Sequence, residues 1–152
     1  VYLDIVDGYQ YWEPGGPSGL NRASAEQEMV SFVEALAHYA RVTKGRPNFL
    51  IVPQNGEELS AHADYVQAVS GIGEEDTWYD GDTPQDADHT ASVLANLDVF
   101  RRAGKFVLVV DYVTQPRLIS DFYAKAQAKG YIPYATTRDL DRLTINPSHA
   151  PQ

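Results

Sequence analysis

The chain has 152 residues, the size of one ordinary domain, and its 12 Lys and Arg against 21 Asp and Glu give a net charge of −9 with a pI near 4.7. That field repels nucleic-acid phosphates and anionic membrane surfaces, and 43% hydrophobic residues are too many for a disordered chain. The absence of cysteine excludes a disulfide scaffold, a thiolate metal site and a Cys nucleophile, and no apolar run approaches the roughly 20 residues of a membrane span.

Val1-Tyr2-Leu3-Asp4-Ile5-Val6 reads as a strand over Tyr2–Val6 from the first residue, with no lead-in, cap or signal peptide. Mature domains usually begin with loose polar residues, so the expectation is that this chain is the C-terminal part of something larger. Ser24 with Gln27 resembles a capping box, and Met29, Phe32, Val33, Leu36 and Ala40 then recur at helical spacing up to Lys44-Gly45. A strand is predicted at Phe49–Val52, a weaker helix at Ala61–Val69 and a short strand near Ile72–Glu75. Val93, Leu94, Leu97 and Phe100 form a second helical stripe that stops at Ala103-Gly104. Phe106–Val113 is the clearest strand, apolar on both faces, which suits a parallel strand covered by helices. Pro116 then opens a helix carrying Leu118, Ile119, Phe122, Tyr123 and Ala126, which ends at Lys129-Gly130 before a last strand at Ile132–Thr136. Each of the three glycines suits a left-handed helix cap.

Alternation of this kind implies a parallel sheet with right-handed crossovers. There is no GxGxxG and no GxxxxGK[ST], so dinucleotide and P-loop readings lack their phosphate-binding turn. Polar residues gather after five successive strands, which favours a (β/α)8 TIM barrel over a flat doubly wound sheet, because barrel strand ends converge on one mouth. Five units do not close eight strands. The expectation is a single domain over 1–152, the C-terminal portion of a barrel with about strands four to eight, whose exposed sheet edges are covered by the missing N-terminal part or by self-association.

The strand ends read Asp4 and Asp7; Gln54-Asn55-Gly56-Glu57; Glu74-Glu75-Asp76; Asp111-Tyr112; and Thr137-Arg138-Asp139. If Leu3 and Ile5 pack on helices, strand parity turns Asp4 into the barrel. The same reasoning turns Glu75 inward, opposite Ile72, and places Asp111 inward with Val107 and Val109. Three inward carboxylates suit glycoside hydrolysis, which needs one acid to protonate the leaving oxygen and a second to attack the sugar or activate water. Each acid also reads as a helix cap or a solvated loop charge, and Asp7, Glu57 and Asp76 fit that reading best. Among 10 Tyr and 2 Trp, the residues Tyr9, Tyr11, Trp12, Trp78, Tyr79, Tyr112 and Tyr134 lie on or after strands, where they suit sugar faces or ordinary packing. Arg138 is placed to pair Asp111 or Asp139. The four His form no HExxH or HxH pair, so no zinc site is expected, and an oxygen-ligand Mg2+ or Ca2+ site among the carboxylates stays open. No G-x-S-x-G elbow is present.

Val1-Tyr2-Leu3-Asp4-Ile5-Val6-Asp7-Gly8-Tyr9-Gln10-Tyr11-Trp12 resembles the glycoside hydrolases related to endo-α-1,4-polygalactosaminidase, glycoside hydrolase family 114. Further matches follow in order at Val52-Pro53-Gln54-Asn55-Gly56, Gly71-Ile72-Gly73-Glu74-Glu75-Asp76, Val109-Val110-Asp111-Tyr112 and Thr137-Arg138-Asp139-Leu140-Asp141. The resemblance implies strands four to eight of a barrel and cleavage of α-1,4-linked galactosamine polymers, without a cofactor. It places a catalytic Asp on Asp4 and a catalytic Glu on Glu75; the Asn that follows the Asp in the characterised enzymes is Ile5 here. It also implies an extracellular or periplasmic location. The resulting assignment is Asp4 as nucleophile and Glu75 as general acid/base, with net retention. Asp7, Tyr11, Asn55, Trp78, Tyr79, Asp111, Tyr112 and Arg138 would bind the poly- or oligosaccharide substrate. Two rivals stand beside it: a carbohydrate-binding barrel without catalysis, and a metal-dependent lyase or hydrolase using Asp4, Glu75 and Asp111 as ligands.

Overall fold

Parallel strands alternate with helices along the chain, as the apolar runs and glycine-terminated stripes require. The structure is a computed structural model and describes residues 1–149. Its strands are β1 (Tyr2–Leu3), β2 (Val52–Pro53), β3 (Gly71–Glu75), β4 (Tyr79–Asp80), β5 (Thr83–Pro84), β6 (Phe106–Asp111) and β7 (Ile132–Ala135). Its α-helices are α1 (Ala25–His38), α2 (Ala63–Ala68), α3 (Ala87–Arg102) and α4 (Pro116–Lys129). β1 pairs with β2, β3 with β6 and β6 with β7, all parallel, and one parallel bridge between Gln54 and Gly73 links the two groups. Five parallel strands therefore lie side by side in chain order. β4 and β5 form a small antiparallel hairpin inserted after β3. The sheet is open: the described residues close no barrel.

Burial along β6 alternates, with Val107, Val109 and Asp111 buried and Phe106, Leu108 and Val110 only partly so. Val107, Val109 and Ile72 join Leu97, Phe100 and Phe122 in the core, so the helices cover this face. The other face carries Tyr2, Gly73, Glu75, Leu108, Val110 and Tyr134 and is more open. Gly73 is required there. A Cβ on it would collide with the Tyr2 hydroxyl and Gln54 Oε1, which hydrogen-bond to each other between β1 and the end of β2.

Several boundaries differ from the sequence expectation. The second strand is Val52–Pro53 rather than Phe49–Val52, because Phe49 and Leu50 are solvent-exposed and the partner strand β1 is two residues long. α1 buries Ala25, Val30, Val33 and Ala37 while Phe32 points outward. Ser24 occupies the N-cap position of α1 but makes no capping bond; its hydroxyl donates to Glu28 Oε1 at 2.7 Å. The side-chain cap of α3 is Asp86, which accepts from the N–H groups of Asp88 and His89 at 3.0 Å each. Pro116 opens α4 as expected, and Gly45, Gly104 and Gly130 all adopt positive φ at helix ends.

The first strand stops early for a backbone reason. Ile5 has φ 57 and ψ 40, the left-handed region, and the chain passes directly into a 3-10 helix over Val6–Tyr11. A β-branched side chain in this region is strained, whereas Asn tolerates it. We therefore expect Ile5→Asn to raise stability by about 1 kcal/mol, read as a higher urea midpoint. An unchanged midpoint would show that the strain is absorbed elsewhere.

Candidate active site

The carboxyl ends of the five parallel strands all point the same way, so the loops that follow them share one end of the sheet. Glu75 is the last residue of β3 and lies on the open face. Asn55, held in the left-handed conformation at φ 61, donates its N–H to Gly73 O at 2.8 Å. Its side chain then clamps the neighbouring strand end: Nδ2 donates to Glu75 Oε2 at 3.3 Å and Oδ1 accepts the Glu75 N–H at 3.1 Å. The Tyr112 hydroxyl donates to Glu75 Oε1. The Arg138 guanidinium lies over the Tyr112 ring, 4.3 Å from its centre. One carboxylate is thus oriented by an amide and a phenol, and the phenol ring is backed by a cation.

Asp4 follows the end of β1 and is exposed; its Oδ1 accepts the Ile5 N–H at 2.9 Å. Asp4 and Glu75 both act on the same two neighbours. Burial pushes the Tyr2 phenol up to about 12, and the charges of Glu75, Glu74 and Asp4 add to the rise. Burial likewise raises the Asp7 carboxyl, with Glu58, Glu75 and Asp4 contributing. Asp7, Asn55, Glu57, Glu74 and Glu75 line a polar cavity of about 290 Å3 at this end of the sheet.

Other expected site residues go elsewhere. Asp111 is buried on the helix side, because its strand partners fix its face: Val107 pairs with Ile72 and Val109 with Glu74. Its Oδ1 accepts the Thr77 N–H at 2.8 Å, and Oδ2 accepts those of Trp78 and Tyr79 at 3.0 Å each. Burial pushes this carboxyl up to about 7 against three backbone donors that favour the anion. It ties down the loop after β3 and faces away from the cavity. Trp78 is only 7% exposed and packs edge-on against Phe122 and tilted against Tyr131, so it offers no sugar platform. The buried Tyr79 donates its hydroxyl to Asp121 beneath Lys125, which also lies over the ring at 4.8 Å. Arg138 pairs with Asp76 and Asp80 at 2.8–3.1 Å, not with Asp111 or Asp139, because Asp111 is sealed under the helices. Tyr11 and Trp12 remain exposed, edge to face at 5.0 Å, next to the site's first loop.

The sequence places Glu57 and Glu74 at strand ends without indicating their burial, and the structure buries both. Glu74 shares the parity of Ile72, which was the signal available. Burial, and then Glu58, pushes the Glu57 carboxyl from 4.5 up to about 7. Between those values the folded chain keeps a proton that the unfolded chain has released. This contribution to stability is therefore full below about pH 4.5 and is lost as pH rises towards 7. A shift of this size carries roughly 3 kcal/mol at most. We expect the urea midpoint to fall as pH is raised through this window and Glu57→Gln to flatten the fall; an equal fall in the variant would assign it to other groups.

His62 Nε2 lies 2.6 Å from Glu26 Oε1, and His149 stacks on Tyr123 at 4.1 Å. Among the described residues no group of three or more His, Asp or Glu is arranged to hold a metal ion. Nor is any helix there long and apolar enough to cross a membrane.

Comparison with known proteins adds a family relation. The model described as Glycoside-hydrolase family GH114 matches residues 1–150. A Deinococcus radiodurans protein is 36% identical over 147 residues, covering 96% of this chain and 45% of that protein. A Thermotoga maritima protein is 38% identical over 155 residues, covering 96% of this chain and 47% of its own length. For a Methanocaldococcus jannaschii protein the identity is 37% over 155 residues, with 94% and 44% covered. All three are described as uncharacterized. The chain thus spans about half the length of the curated relatives it matches. Among solved structures, the glycoside hydrolase domain of PelA from Pseudomonas aeruginosa shares the fold with a TM-score of 0.71 at 20% identity, over 95% of this chain and 55% of that one.

Proposed function

We infer that this chain, which belongs to glycoside-hydrolase family GH114, carries the catalytic acids of a glycosidase that cleaves an amino-sugar polysaccharide of the α-1,4-galactosamine type. The observation that carries this reading is Glu75, held at a strand end by Asn55 and Tyr112, with Asp4 following β1 at the same end of the sheet. Glu75 protonates the glycosidic oxygen as the bond to the anomeric carbon breaks, and Asp4 attacks that carbon to give a glycosyl ester. Glu75 then takes a proton from water, whose oxygen displaces Asp4 and restores both groups. Two attacks give net retention, which requires the two carboxyl groups to come within about 5–5.5 Å in the working site. Asp7, Asn55 and Arg138 border the sugar, with Tyr11 as an exposed platform. The acidic cavity favours a cationic polymer over an anionic one.

In this reading the open sheet is one part of a (β/α)8 barrel in a longer protein, which supplies the remaining strands and covers the open face. The site works outside the cytoplasm, where such polysaccharides are met. Incubation of the full-length protein with α-1,4-galactosamine oligomers is expected to give shorter oligomers with the α configuration retained, as seen by mass spectrometry and NMR. Binding without cleavage would instead favour a carbohydrate-binding barrel, and neither binding nor cleavage would overturn the reading.

A further inference from the structure

Glu74 takes no part in the chemistry above, yet it lines the cavity that Glu75 borders. It follows Gly73 on β3, shares the parity of Ile72 and is only 6% exposed. Its Oε2 is buried with no hydrogen-bond partner among the described residues. A buried carboxyl oxygen without a donor is costly, and the cost lasts until a donor arrives.

The neighbouring elements bring acids and committed donors. The 3-10 helix over Glu57–Ala61 contributes Glu57 and Glu58 to the cavity, and the one over Val6–Tyr11 contributes Asp7 and Gln10. The Tyr2 phenol of β1 donates to Gln54, the Asn55 amide to Glu75 and the Gln85 amide to Asp76 O. Among the described residues no Lys or Arg lines the cavity, and His89 of α3 reaches it from an exposed position. Asp76 is paired with Arg138. Burial first, and then the charges of Glu57, Glu58, Asp7 and Glu75, hold the Glu74 carboxyl well above the usual carboxylate range.

The missing complement is therefore positively charged and carries its own hydrogen-bond donors. Among the described residues no group of three or more His, Asp or Glu is arranged around a metal ion, whereas a protonated primary amine supplies one charge and three N–H donors. The cavity, about 290 Å3 in volume, admits one sugar unit and carries Glu75 and Asn55 on its wall.

We propose that Glu74 is a specificity-determining residue that receives the ammonium group of an amino sugar bound beside Glu75, with Glu57 and Asp7 adding to the attractive field. The inference rests on the reading of this cavity as a glycosidase site and names the substrate group that the site selects. An acetamide or hydroxyl at the same sugar carbon brings no charge and leaves the acids uncompensated. When the amine binds, Glu74 gives its proton to solvent and its carboxylate pairs with the ammonium, so binding releases a proton.

Two calorimetric measurements on the full-length protein test this, with galactosamine, N-acetylgalactosamine and galactose as probes, none of which has a glycosidic bond to cleave. In the first, wild type is expected to bind galactosamine at least about tenfold more tightly than the other two sugars. In Glu74→Gln that preference is expected to shrink to within about threefold while galactose affinity is kept. An equal preference in both proteins, an equal loss for all three sugars, or no galactosamine binding would overturn the proposal. The second needs only the wild type. The heat of galactosamine binding at about pH 6, where the free amine is protonated, is expected to vary between buffers of different ionisation enthalpy as one proton is released, and that of galactose is not. A heat of galactosamine binding independent of the buffer would overturn the proposal. A preference for galactosamine in a protein that leaves its oligomers intact removes the hydrolase reading alone, and cleavage without the preference removes the amine subsite alone.

Discussion

Glu75→Gln in the full-length protein is expected to lower kcat on galactosamine oligomers by about 10^2–10^4-fold, the usual contribution of a positioned general acid. The variant preserves shape but keeps one acceptor oxygen, so it holds the bond from either Asn55 or Tyr112 and turns its N–H2 towards the other donor; an unchanged urea midpoint would show that the loss measures the proton rather than the fold. A substrate whose leaving group needs no protonation discriminates the role. Aryl glycosides with acidic phenols should recover most of the first step in Glu75→Gln and none of it in Asp4→Asn. Added azide should rescue the glutamate variant by replacing the water that Glu75 would otherwise activate, giving a glycosyl azide of retained configuration. Wild-type turnover of oligomers by Glu75→Gln would remove this residue from the mechanism. The same result for Asp4→Asn would leave Glu75 in place and assign the second role to another acid, for which half-buried Asp7 is the nearest candidate.

Asp111→Ala is expected to cost about 3 kcal/mol or more, enough to unfold a marginal domain. The side chain is fully buried and accepts three backbone N–H groups from consecutive residues, Thr77, Trp78 and Tyr79. Removing it strands all three donors in the core and frees the loop that leads into β4. Asp111→Asn keeps one acceptor oxygen and turns an amide N–H2 towards donors, so it should fall between the two. Urea unfolding of the three proteins, read by the fluorescence of buried Trp78, checks the order. A loss below about 1 kcal/mol for the alanine variant would show that water or a shifted loop satisfies the donors. If Asp111 instead served the sugar, stability would be spared and substrate affinity would drop.

These two residues also show where sequence reading succeeds and where it stops. For Glu75 the strand has one apolar neighbour of opposite parity, Ile72, and two glycines, so only one face is able to pack on helices. For Asp111 both faces of Phe106-Val107-Leu108-Val109-Val110 are apolar, and alternation carries no preference. The inward assignment was therefore a choice without a signal, and the register with β3 reverses it. The aromatic residues divide in the same way. Trp78 and Tyr79 follow a strand end just as Tyr112 does, yet the hairpin β4–β5 and the Asp111 anchor draw them under α4. The Asn55 clamp was visible as a residue type after a strand, but its two bonds to Glu75 join positions 20 residues apart.

From the amino-acid order alone come the alternation of strand and helix, the glycine helix ends, the acidic character and the placing of Glu75 on the face opposite Ile72. All of these depend on local periodicity or on composition, which the covalent chain already contains. Tertiary structure alone decided that Asp111 belongs to the core, that Glu57 and Glu74 are buried, and that Arg138 serves Asp76 and Asp80. Those facts depend on which strand lies beside which and in what register. Register is fixed by packing across the sheet, and a single step of it exchanges the two faces.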